Sequence, residues 1–593
     1  MGLMFTITDI TIDGFLKIFK DIVESKKRAG ISSIQDNPKD LLKRAKYYGT
    51  QYKNKSWGWT SNIWARSAKQ SVVVNTDEEL KTPHKELMLR VLEHILCQPM
   101  IQVDANLGEP GSKAEMKCRL YCDPQFPDIA YRWAQLNFKG DPSCEPDATV
   151  FFVPHYLENP NVPGRSDMLR VIRFPNHNYT IVTGSSYQGE VKKGFLSHWI
   201  YHVYKKGGTG EHASLKEFTT KLKTGKTKRV VMCVWGLTGS GKSTHGLYIV
   251  DKNTTPIFKK NFGIDVSKFI HEQVVKNDDI VGVFEDQVVS PEKGSWTKTE
   301  DVGNTQIGIY RAAMSSHALH ENTEWDENGE VSFKGTLFQY HGRPNQNSRT
   351  VLMLKDTGYF DGSVDSSAPL NMAVFVSPGY TSDFAWVKIS DPDFAAKVLA
   401  DGRTVGHPAQ GRQGVGEVKY ATRYCLPFTM GVGNAEHVRR FHAFMKDRLG
   451  TDNPVESYLI NTTGRIGAEY DWVEERFDSD KIQIPKTRFK EISGKIKPVG
   501  GTGPSIEETE LFLFQASRGE VEYGDHPIWG GKVLIPKNVP GISKERLREL
   551  NPFSYHSSEE MRRFLKSQIE VSKYFLLRQC PGLAENIFNS MGF

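Results

Sequence analysis

A phosphate-binding loop is predicted near the middle of the chain, between an apolar segment and a helix-forming one. The pattern G-x-x-x-x-G-K-[ST] is met by Gly236, Gly241, Lys242 and Ser243. In such a loop, backbone N–H groups and the start of the following helix face a polyphosphate, the lysine reaches its outer phosphates, and the hydroxyl binds a divalent cation. The predicted nucleotide-binding loop is Gly236, Leu237, Thr238, Gly239, Ser240, Gly241, Lys242, Ser243 and Thr244.

A loop of this kind needs a carboxylate at the end of a neighbouring strand to hold the metal ion. The segment D-D-I-V-G-V-F-E-D, residues 278–286, is interpreted as an apolar strand that ends in two acids. We assign Asp286 as the metal ligand, with Glu285 beside it. Asp278 and Asp279, at the other end of the segment, stay open as alternatives.

The length and bulk composition predict a soluble protein with two or more large lobes. A chain of 593 residues exceeds the size at which one hydrophobic core keeps growing, and its 38% hydrophobic and 25% charged residues are ordinary for a globular protein. The net charge of +6 argues weakly for anionic ligands and does not indicate nucleic acid. No apolar run approaches the roughly 20 residues that cross a bilayer, and the start lacks the order of a signal peptide. We expect a cytoplasmic protein that binds neither membrane nor nucleic acid.

Hydrophobic periodicity predicts which elements position the loop. Apolar residues recur at helical spacing before Pro38, at 86–98 and at 557–578. Between 100 and 183, short apolar or alternating runs separated by Pro, Gly and Asn favour a mixed sheet. The Gly-, Lys- and Thr-rich stretch 205–228 is interpreted as a linker or mobile loop. Beyond it, strands and helices alternate as in an α/β nucleotide domain.

A second polar segment precedes a predicted amphipathic helix. Residues 184–193 read G-S-S-Y-Q-G-E-V-K-K. Taken alone, this is a surface turn followed by a charged helix start. The segment resembles Y-x-G-E-x-K-K of the ATP-dependent phosphoenolpyruvate carboxykinases, in which it supplies substrate and metal ligands.

The resemblance extends in order along almost the whole chain. Arg66-Ser67-Ala68-Lys69 is similar to the family's R-S-P-K, the phosphate loop matches G-L-S-G-T-G-K-T, and His212 matches a family histidine. Further similar segments are Ile309 to Asn322, Asn347-Ser348-Arg349, Tyr424 to Thr429, Asn461 to Ile466 and Ile535 to Ile542. Each match alone is weak, and their collinearity is the specific signal.

The resemblance implies a fold and a reaction. The fold is α/β and two-lobed: a mixed-sheet N-terminal substrate-binding domain at 1–225, and a P-loop-containing mononucleotide-binding domain with a helical tail at 226–593. The reaction is the reversible, ATP-dependent conversion of oxaloacetate to phosphoenolpyruvate, carbon dioxide and ADP, used in gluconeogenesis. ATP, Mn²⁺ and Mg²⁺ are the implied substrate and cofactors, and the protein is expected to be a monomer or small homo-oligomer.

The resemblance also assigns roles to individual residues. Lys193, as an uncharged amine, His212 and Asp286 would bind Mn²⁺, and Ser243 would bind Mg²⁺ with the nucleotide. The substrate and the moving phosphoryl group would contact Arg66, Tyr187, Lys192, Lys242 and Arg349. Beyond the loop, the nucleotide site would include His212, Gln306, Arg349, Arg465 and Ile466.

Three departures from the family pattern indicate a divergent member. The metal segment D-D-E-H-G-W is absent, Ala68 replaces a proline, and Gln306 stands where the family has a glutamate. Two alternatives therefore stay open. One is a P-loop kinase of another small molecule or protein, and the other is a non-catalytic nucleotide-binding protein on the same fold.

Overall fold

A computed structural model describes residues 10–592 apart from 37, 62–70, 156–169, 238–239, 300–301, 304–305, 335–338, 341–342, 345–347, 406–417, 425–431, 478–479 and 493–494. The described chain is a mixed α/β protein, as predicted. Its helices are α1 (Ile12–Arg28), α2 (Pro38–Lys46), α3 (Thr82–Cys97), α4 (Pro127–Leu136), α5 (Gln188–Lys205), α6 (Lys242–Gly246), α7 (Thr255–Phe262), α8 (Ile307–Ala313), α9 (Pro392–Ala400), α10 (Asn434–Asp447), α11 (Ile506–Ser517), α12 (Lys544–Glu549), α13 (Ser558–Gln579) and α14 (Glu585–Phe588). Within these residues, no helix combines the length and the apolar character needed to span a membrane.

The strands are numbered in chain order. The first eighteen are β1 (Ile34–Gln35), β2 (Thr50–Gln51), β3 (Trp57–Trp59), β4 (Ser71–Val73), β5 (Met100–Leu107), β6 (Met116–Cys122), β7 (Phe138–Lys139), β8 (Ala148–Val153), β9 (Arg170–Phe174), β10 (Tyr179–Thr183), β11 (Thr209–Glu211), β12 (Ala213–Lys221), β13 (Thr227–Trp235), β14 (Ile270–Asn277), β15 (Val281–Val283), β16 (Val288–Val289), β17 (Gly294–Lys298) and β18 (Leu319–Glu321). The others are β19 (Glu324–Trp325), β20 (Val331–Ser332), β21 (Gln339–Tyr340), β22 (Arg343–Pro344), β23 (Arg349–Met353), β24 (Met372–Ser377), β25 (Trp386–Ile389), β26 (Arg403–Val405), β27 (Val418–Tyr420), β28 (Glu456–Asn461), β29 (Ile466–Ala468), β30 (Tyr470–Phe477), β31 (Asp480–Thr487), β32 (Phe489–Ile492), β33 (Lys495–Pro498), β34 (Gly500–Thr502), β35 (Glu522–His526) and β36 (Gly530–Asn538).

The first large sheet is mixed and has helices on both faces. Its order is β1-β5-β6-β8-β10-β9-β4, with β7 also paired to β5. Side chains of β8 alternate between the two faces: Val150 and Phe152 join a core with α4 and α5, while Phe151 and Val153 join a core with α1 and α3. This two-residue period is what a strand buried on both faces requires. The predicted mixed sheet at 100–183 is therefore confirmed.

The second large sheet carries the phosphate-loop strand. Its order is β14-β12-β13-β24-β28-β25-β36-β35, and β13 lies parallel to β24. Alternate residues of β13 enter different cores: Val231 and Cys233 pack with α9 and α10, whereas Met232 and Val234 pack with α7 and α11. The loop after β13 thus leaves a strand that is buried on both faces.

The stretch 205–228 is not a linker or a mobile loop, and that prediction is wrong. It forms β11, β12 and the start of β13, and β12 pairs along its whole length with β13. Charged residues obscured this strand in the sequence. Lys216 and Glu217 are both buried, and each has a buried or half-buried partner of opposite charge, Glu510 and Arg229 respectively.

Two smaller sheets position residues near the loop. One has the order β11-β15-β16, and the other the order β17-β23-β18-β3-β2. Strand β11 runs antiparallel to β15, with Glu211 opposite Val281 and Thr209 opposite Val283. This register decides which end of the 278–286 segment lies beside His212.

Helix ends follow the capping signals in the sequence. Helix α1 begins after Thr11, whose hydroxyl accepts from the Gly14 amide, and it ends in three basic residues. Helix α13 begins with a capping box of Ser557 and Glu560. Helices α1, α3 and α13 confirm the three helices predicted from periodicity.

Candidate functional site

The phosphate loop turns sharply between β13 and the one-turn helix α6. A Cβ on Gly236 would lie 2.6 Å from Ser240 Oγ, and Gly241 has a φ of +98°. Both positions therefore require glycine. The loop is also held from the neighbouring strand end, since Thr462 Oγ1 donates to the Ser240 carbonyl at 2.7 Å. Thr238 and Gly239 lie outside the described residues.

Helix α6 is limited to the five residues Lys242–Gly246. It ends at Gly246, where a Cβ would lie 1.9 Å from Ser214 Oγ of β12. Its buried His245 contacts Glu510 of α11 through Nδ1 at 2.8 Å, and Glu510 also pairs with Lys216 at 3.4 Å. This buried network fixes the start of α6, and hence the lysine of the loop, against the core.

Lys242 points toward two consecutive acids. Its Nζ donates to the backbone carbonyl of Asp278 and lies 3.6 Å from Asp279 Oδ1. Only 8% of its side chain is exposed. The loop lysine is thus already oriented by buried acceptors that precede β15.

Four cationic or imidazole groups surround the carboxylate of Asp279. Lys193 Nζ donates to Oδ2 at 2.7 Å, and Lys192 Nζ donates to the same oxygen at 2.8 Å. His212 Nε2 lies 3.0 Å from Oδ1, and Lys242 is the fourth group. We call these five residues the Asp279 cluster. It joins the first turns of α5, the residue after β11, the start of α6 and the turn before β15.

Electrostatics in the Asp279 cluster hold the carboxylate charged and the imidazole neutral. Burial favours a raised pKa for Asp279, but Lys192, Lys193, Lys242 and the His212 hydrogen bond together hold its pKa well below the ordinary value. Burial lowers the pKa of His212 to about 4, despite the hydrogen bond to Asp279. An imidazole that is neutral at physiological pH can act as a metal ligand.

Lys192 is the most enclosed cation of the cluster. It also donates to Glu292 Oε2 at 2.8 Å. Burial opposes its charge, yet Asp279 and Glu292 raise the pKa of Lys192 above its ordinary value. Lys192 therefore stays protonated and adds a fixed positive charge to the site.

Asp278 has different surroundings from its neighbour. Its Oδ2 accepts from Thr297 at 3.0 Å and Ser295 at 3.3 Å, and Ser243 is a further hydrogen-bond partner. Burial raises the pKa of Asp278, although the charge of Lys242 opposes the rise. Among the described residues, Oδ1 of Asp278 is buried without a hydrogen-bond partner. The Ser243 hydroxyl and a carboxylate thus lie together, as a nucleotide-bound cation requires.

The geometry does not support the choice of Asp286 as metal ligand. Its side chain is 64% exposed and pairs with Lys113 at 2.5 Å, and Glu285 is also exposed. The antiparallel register of β11 and β15 explains the correction, because it brings the beginning of β15 to His212 and carries its end away. The carboxylate beside His212 and Lys193 is that of Asp279.

Trp296, which the sequence analysis missed, connects three predicted site residues. Its ring lies 5.1 Å from the ring of Tyr187, 5.9 Å from Lys192 Nζ and 5.3 Å from the Arg349 guanidinium. Arg349 is buried at the start of β23, which pairs with the strand of Trp296. The available signal was a large aromatic residue in the otherwise small and polar strand G-S-W-T-K.

The other predicted nucleotide contacts are distributed around the loop. Gln306 Nε2 donates to Thr244 Oγ1 at 2.8 Å, which places Gln306 against α6. Arg465 lines a cavity of about 500 Å³ between the β30–β31 hairpin and α13, whereas the Ile466 side chain is buried in the core. Arg66 lies outside the described residues.

The donor set of the Asp279 cluster fits a divalent transition metal. It combines an imidazole, a carboxylate and a primary amine, and His212 Nδ1 is a buried ring nitrogen without a partner in the described part of the chain. Imidazole suits ions of the Zn²⁺ and Fe²⁺ type, and carboxylate suits harder ions such as Mn²⁺. An amine binds a metal only after it has lost its proton. Lys193 would then exchange its ion pair with Asp279 for a bond to the metal.

Comparisons with known proteins agree with one another. A family model described as phosphoenolpyruvate carboxykinase matches residues 74–545. The ATP-dependent phosphoenolpyruvate carboxykinase of Staphylococcus aureus strain bovine RF122 / ET3-1 is 26% identical over 200 residues, which are 34% of this chain and 32% of the relative. The enzyme of strain Newman is 25% identical over the same shares. The chain thus matches about a third of the length of these curated relatives.

Proposed function

Because the chain belongs to the phosphoenolpyruvate carboxykinase family, we propose that it converts oxaloacetate and ATP to phosphoenolpyruvate, carbon dioxide and ADP, in a reversible reaction used in gluconeogenesis. One observation carries the proposal. Lys193, His212 and the phosphate-loop Lys242 all surround the carboxylate of Asp279. In a kinase of another substrate, the amine of Lys193 and the imidazole of His212 beside the loop lysine would be incidental.

The proposal includes the finer architecture. The part that contains the first large sheet would bind the substrate, and the part that contains the second would be a P-loop mononucleotide-binding domain. The sequence-based boundary near residue 225 falls in the turn between β12 and β13. Since β12 belongs to the second sheet, we move the proposed boundary to the residues before β11.

The reaction needs positive charge beside the enolate oxygen and beside the transferred phosphoryl group. Loss of carbon dioxide breaks a C–C bond of oxaloacetate and leaves its electron pair as an enolate, whose oxygen then attacks the γ-phosphorus of ATP and expels ADP. Buried cations stabilise this developing charge best because little water screens them. Lys192, which remains protonated, would stabilise the enolate, while Asp279 keeps the lysines in place.

A divalent ion would be held by Lys193, His212 and Asp279, with Asp279 in place of the predicted Asp286. When bound, Mn²⁺ supplies a Lewis acid that polarises the keto group. The neutral His212 would keep a ring nitrogen available for it. Ser243, with Asp278 beside it, would hold the Mg²⁺ that accompanies ATP.

Phosphoryl transfer would use residues around the loop. Lys242 would lie on the outer phosphates, and the buried Arg349 would balance charge on the transferred group. Tyr187 would orient the substrate from the beginning of α5, and Trp296 packs against both Tyr187 and Arg349. By family resemblance, Arg66 would bind a substrate carboxylate through two parallel hydrogen bonds.

A direct assay tests the proposal. Purified protein is incubated with oxaloacetate, Mn²⁺ and Mg²⁺ and with ATP, GTP or pyrophosphate, and phosphoenolpyruvate is measured. Formation with ATP, lost in Lys242→Met, is the expected result. Failure with all three phosphoryl donors would overturn the proposal and favour a nucleotide-binding protein without this activity.

A Mn²⁺ titration distinguishes the carboxykinase site from that of another kinase. Tight Mn²⁺ binding should be lost in Lys193→Gln and in His212→Gln, since each removes one of the three donors. Asp286→Asn is the matched control, because it removes the exposed carboxylate that lies outside the cluster. Binding that survives both cluster substitutions would favour a kinase of another substrate.

A further inference from the structure

Two histidines share one buried carboxylate at the carboxyl-terminal ends of strands inside the first sheet. His94 Nε2 lies 2.5 Å and His155 Nε2 lies 3.1 Å from the same oxygen, Oδ2, of Asp123. The Asp123 side chain is fully buried, and that of His155 is 33% exposed. All three ligand atoms lie within 4.8 Å of one another. We call these residues the Asp123 cluster.

Rigid elements hold the three side chains in place. Asp123 follows β6 directly and His155 follows β8, and these strands are parallel neighbours in the sheet. The Asp123 amide donates to the Phe152 carbonyl at 3.0 Å, which ties the two strand ends together. His94 lies in the last turn of α3, which packs on this sheet. The set is therefore organised before any ligand binds.

The second carboxylate oxygen is already occupied. Asp123 Oδ1 accepts a hydrogen bond from the backbone N–H of Gln125 at 2.8 Å, so the Asp123 side chain is fixed with Oδ2 toward the histidines. This contact acts as an orienting hydrogen bond of the kind that supports metal-binding carboxylates.

The donor types and spacing match a transition-metal ion. Two imidazoles and one carboxylate form the set that binds Zn²⁺ or Fe²⁺ with open positions for water. Bonds of about 2.0–2.2 Å put tetrahedral ligand atoms roughly 3.3 Å apart, so the observed contacts need to open by less than about 1 Å. With both imidazoles in the unprotonated form that binds a metal, the three ligands carry a net charge of −1, which favours a cation. The exposed part of His155 gives it a path from solvent.

We propose that His94, Asp123 and His155 form a second metal site, which takes a divalent transition-metal ion of the Zn²⁺ type. It is separate from the Asp279 cluster and independent of the proposed reaction. The bound ion fastens the end of α3 to the ends of β6 and β8. The Gly184 amide donates to the His155 carbonyl at 3.2 Å, so the same ion steadies the segment that leads to Tyr187.

Zinc counting tests the site without reference to activity. The full-length Lys193→Gln/His212→Gln variant, which lacks two donors of the Asp279 cluster, is stripped with a chelator and equilibrated with Zn²⁺. Free ions are removed by gel filtration, and bound zinc is measured by mass spectrometry. We expect one zinc per chain. Adding His155→Ala, or separately His94→Ala, should weaken the affinity at least roughly 100-fold.

His317→Ala is the matched control. His317 pairs with Asp356 at 3.1 Å and is 58% exposed, so it is a histidine–aspartate pair in which the described residues supply no second histidine. Zinc bound in this variant as in its parent supports the proposal. Absence of zinc from the parent, or zinc retained after His155→Ala, would overturn it. If His94→Ala unfolds, His155→Ala still decides the question because the His155 side chain is partly exposed, and anomalous diffraction at the zinc edge locates the ion.

Discussion

The carboxylates of Asp279, which is 13% exposed, and of Asp123, which is fully buried, both contact imidazole nitrogen, yet their other neighbours differ. Asp279 is surrounded by Lys192, Lys193 and Lys242 as well as His212. The hydrogen-bond partners described for the Asp123 carboxylate are His94, His155 and the backbone amide of Gln125, with no lysine among them. In the Asp279 cluster three lysines surround one carboxylate, which suits anionic substrates together with a metal, whereas the Asp123 cluster contains a carboxylate and no lysine, which suits a cation alone.

The pKa of each carboxylate is lowered, for different reasons. Burial opposes ionisation at both. At Asp279 the charges of three lysines overcome it, and at Asp123 the hydrogen bonds of His94 and Gln125 do so. A shared direction of pKa shift therefore does not identify a shared function. The informative difference is the number of lysines around each carboxylate, which is three at Asp279 and none among the described partners of Asp123.

The largest effect should come from removing the charge of Asp279. Asp279→Asn removes the carboxylate that Lys192, Lys193 and Lys242 share and also removes a proposed metal ligand, so kcat/KM for phosphoenolpyruvate formation should fall by at least about 10³-fold. Asp286→Asn, the matched control, should change it by less than about twofold, because exposed ion pairs contribute little. Equal losses in the two variants would contradict the assignment of Asp279. Circular dichroism of both variants controls for folding.

The next largest effect should be that Zn²⁺ and Mn²⁺ each stabilise the protein through a different histidine. In thermal unfolding of metal-free protein, Zn²⁺ at about 100 times its Kd should raise Tm by a few degrees. The zinc effect should disappear in His155→Ala and persist in His212→Gln, and a Mn²⁺ effect should show the opposite pattern. If both metals depend on the same histidine, the two clusters are not independent sites.

A smaller effect is expected from substituting Trp296, whose ring contacts Lys192 of the Asp279 cluster. Two cation–ring contacts and one ring–ring contact are each worth about 0.5–2 kcal/mol. Trp296→Ala should therefore lower kcat/KM by roughly 10- to 100-fold, and Trp296→Phe should restore most of it. Trp325→Ala, at a more exposed tryptophan, is the control. Full activity of Trp296→Ala would show that Tyr187 and Arg349 need no such support.

The sequence was sufficient for features that depend on local spacing. The glycines of the phosphate loop, the strand before it and helices α1, α3 and α13 all follow from short patterns. Asp279 was missed as the first choice because its role depends on the pairing of β11 with β15, residues that are about 70 positions apart. The Asp123 cluster is similarly non-local, since α3, β6 and β8 each supply one residue. Strand β12 was missed because its charged side chains Lys216 and Glu217 are buried, with partners of opposite charge on other elements.

The smallest effects should have opposite signs at the two clusters. Gln306 donates to Thr244 beside the loop, so Gln306→Glu adds a negative charge next to the phosphates and should raise the KM for ATP roughly three- to tenfold. Gln125 has an exposed side chain next to Asp123, so Gln125→Glu should tighten zinc binding by a factor of roughly two to three. Each variant is the control for the other, because each adds the same charge. A lower KM for ATP in Gln306→Glu would mean that this position contacts the nucleotide as an acceptor, as the family's glutamate does, and that charge alone does not govern the site.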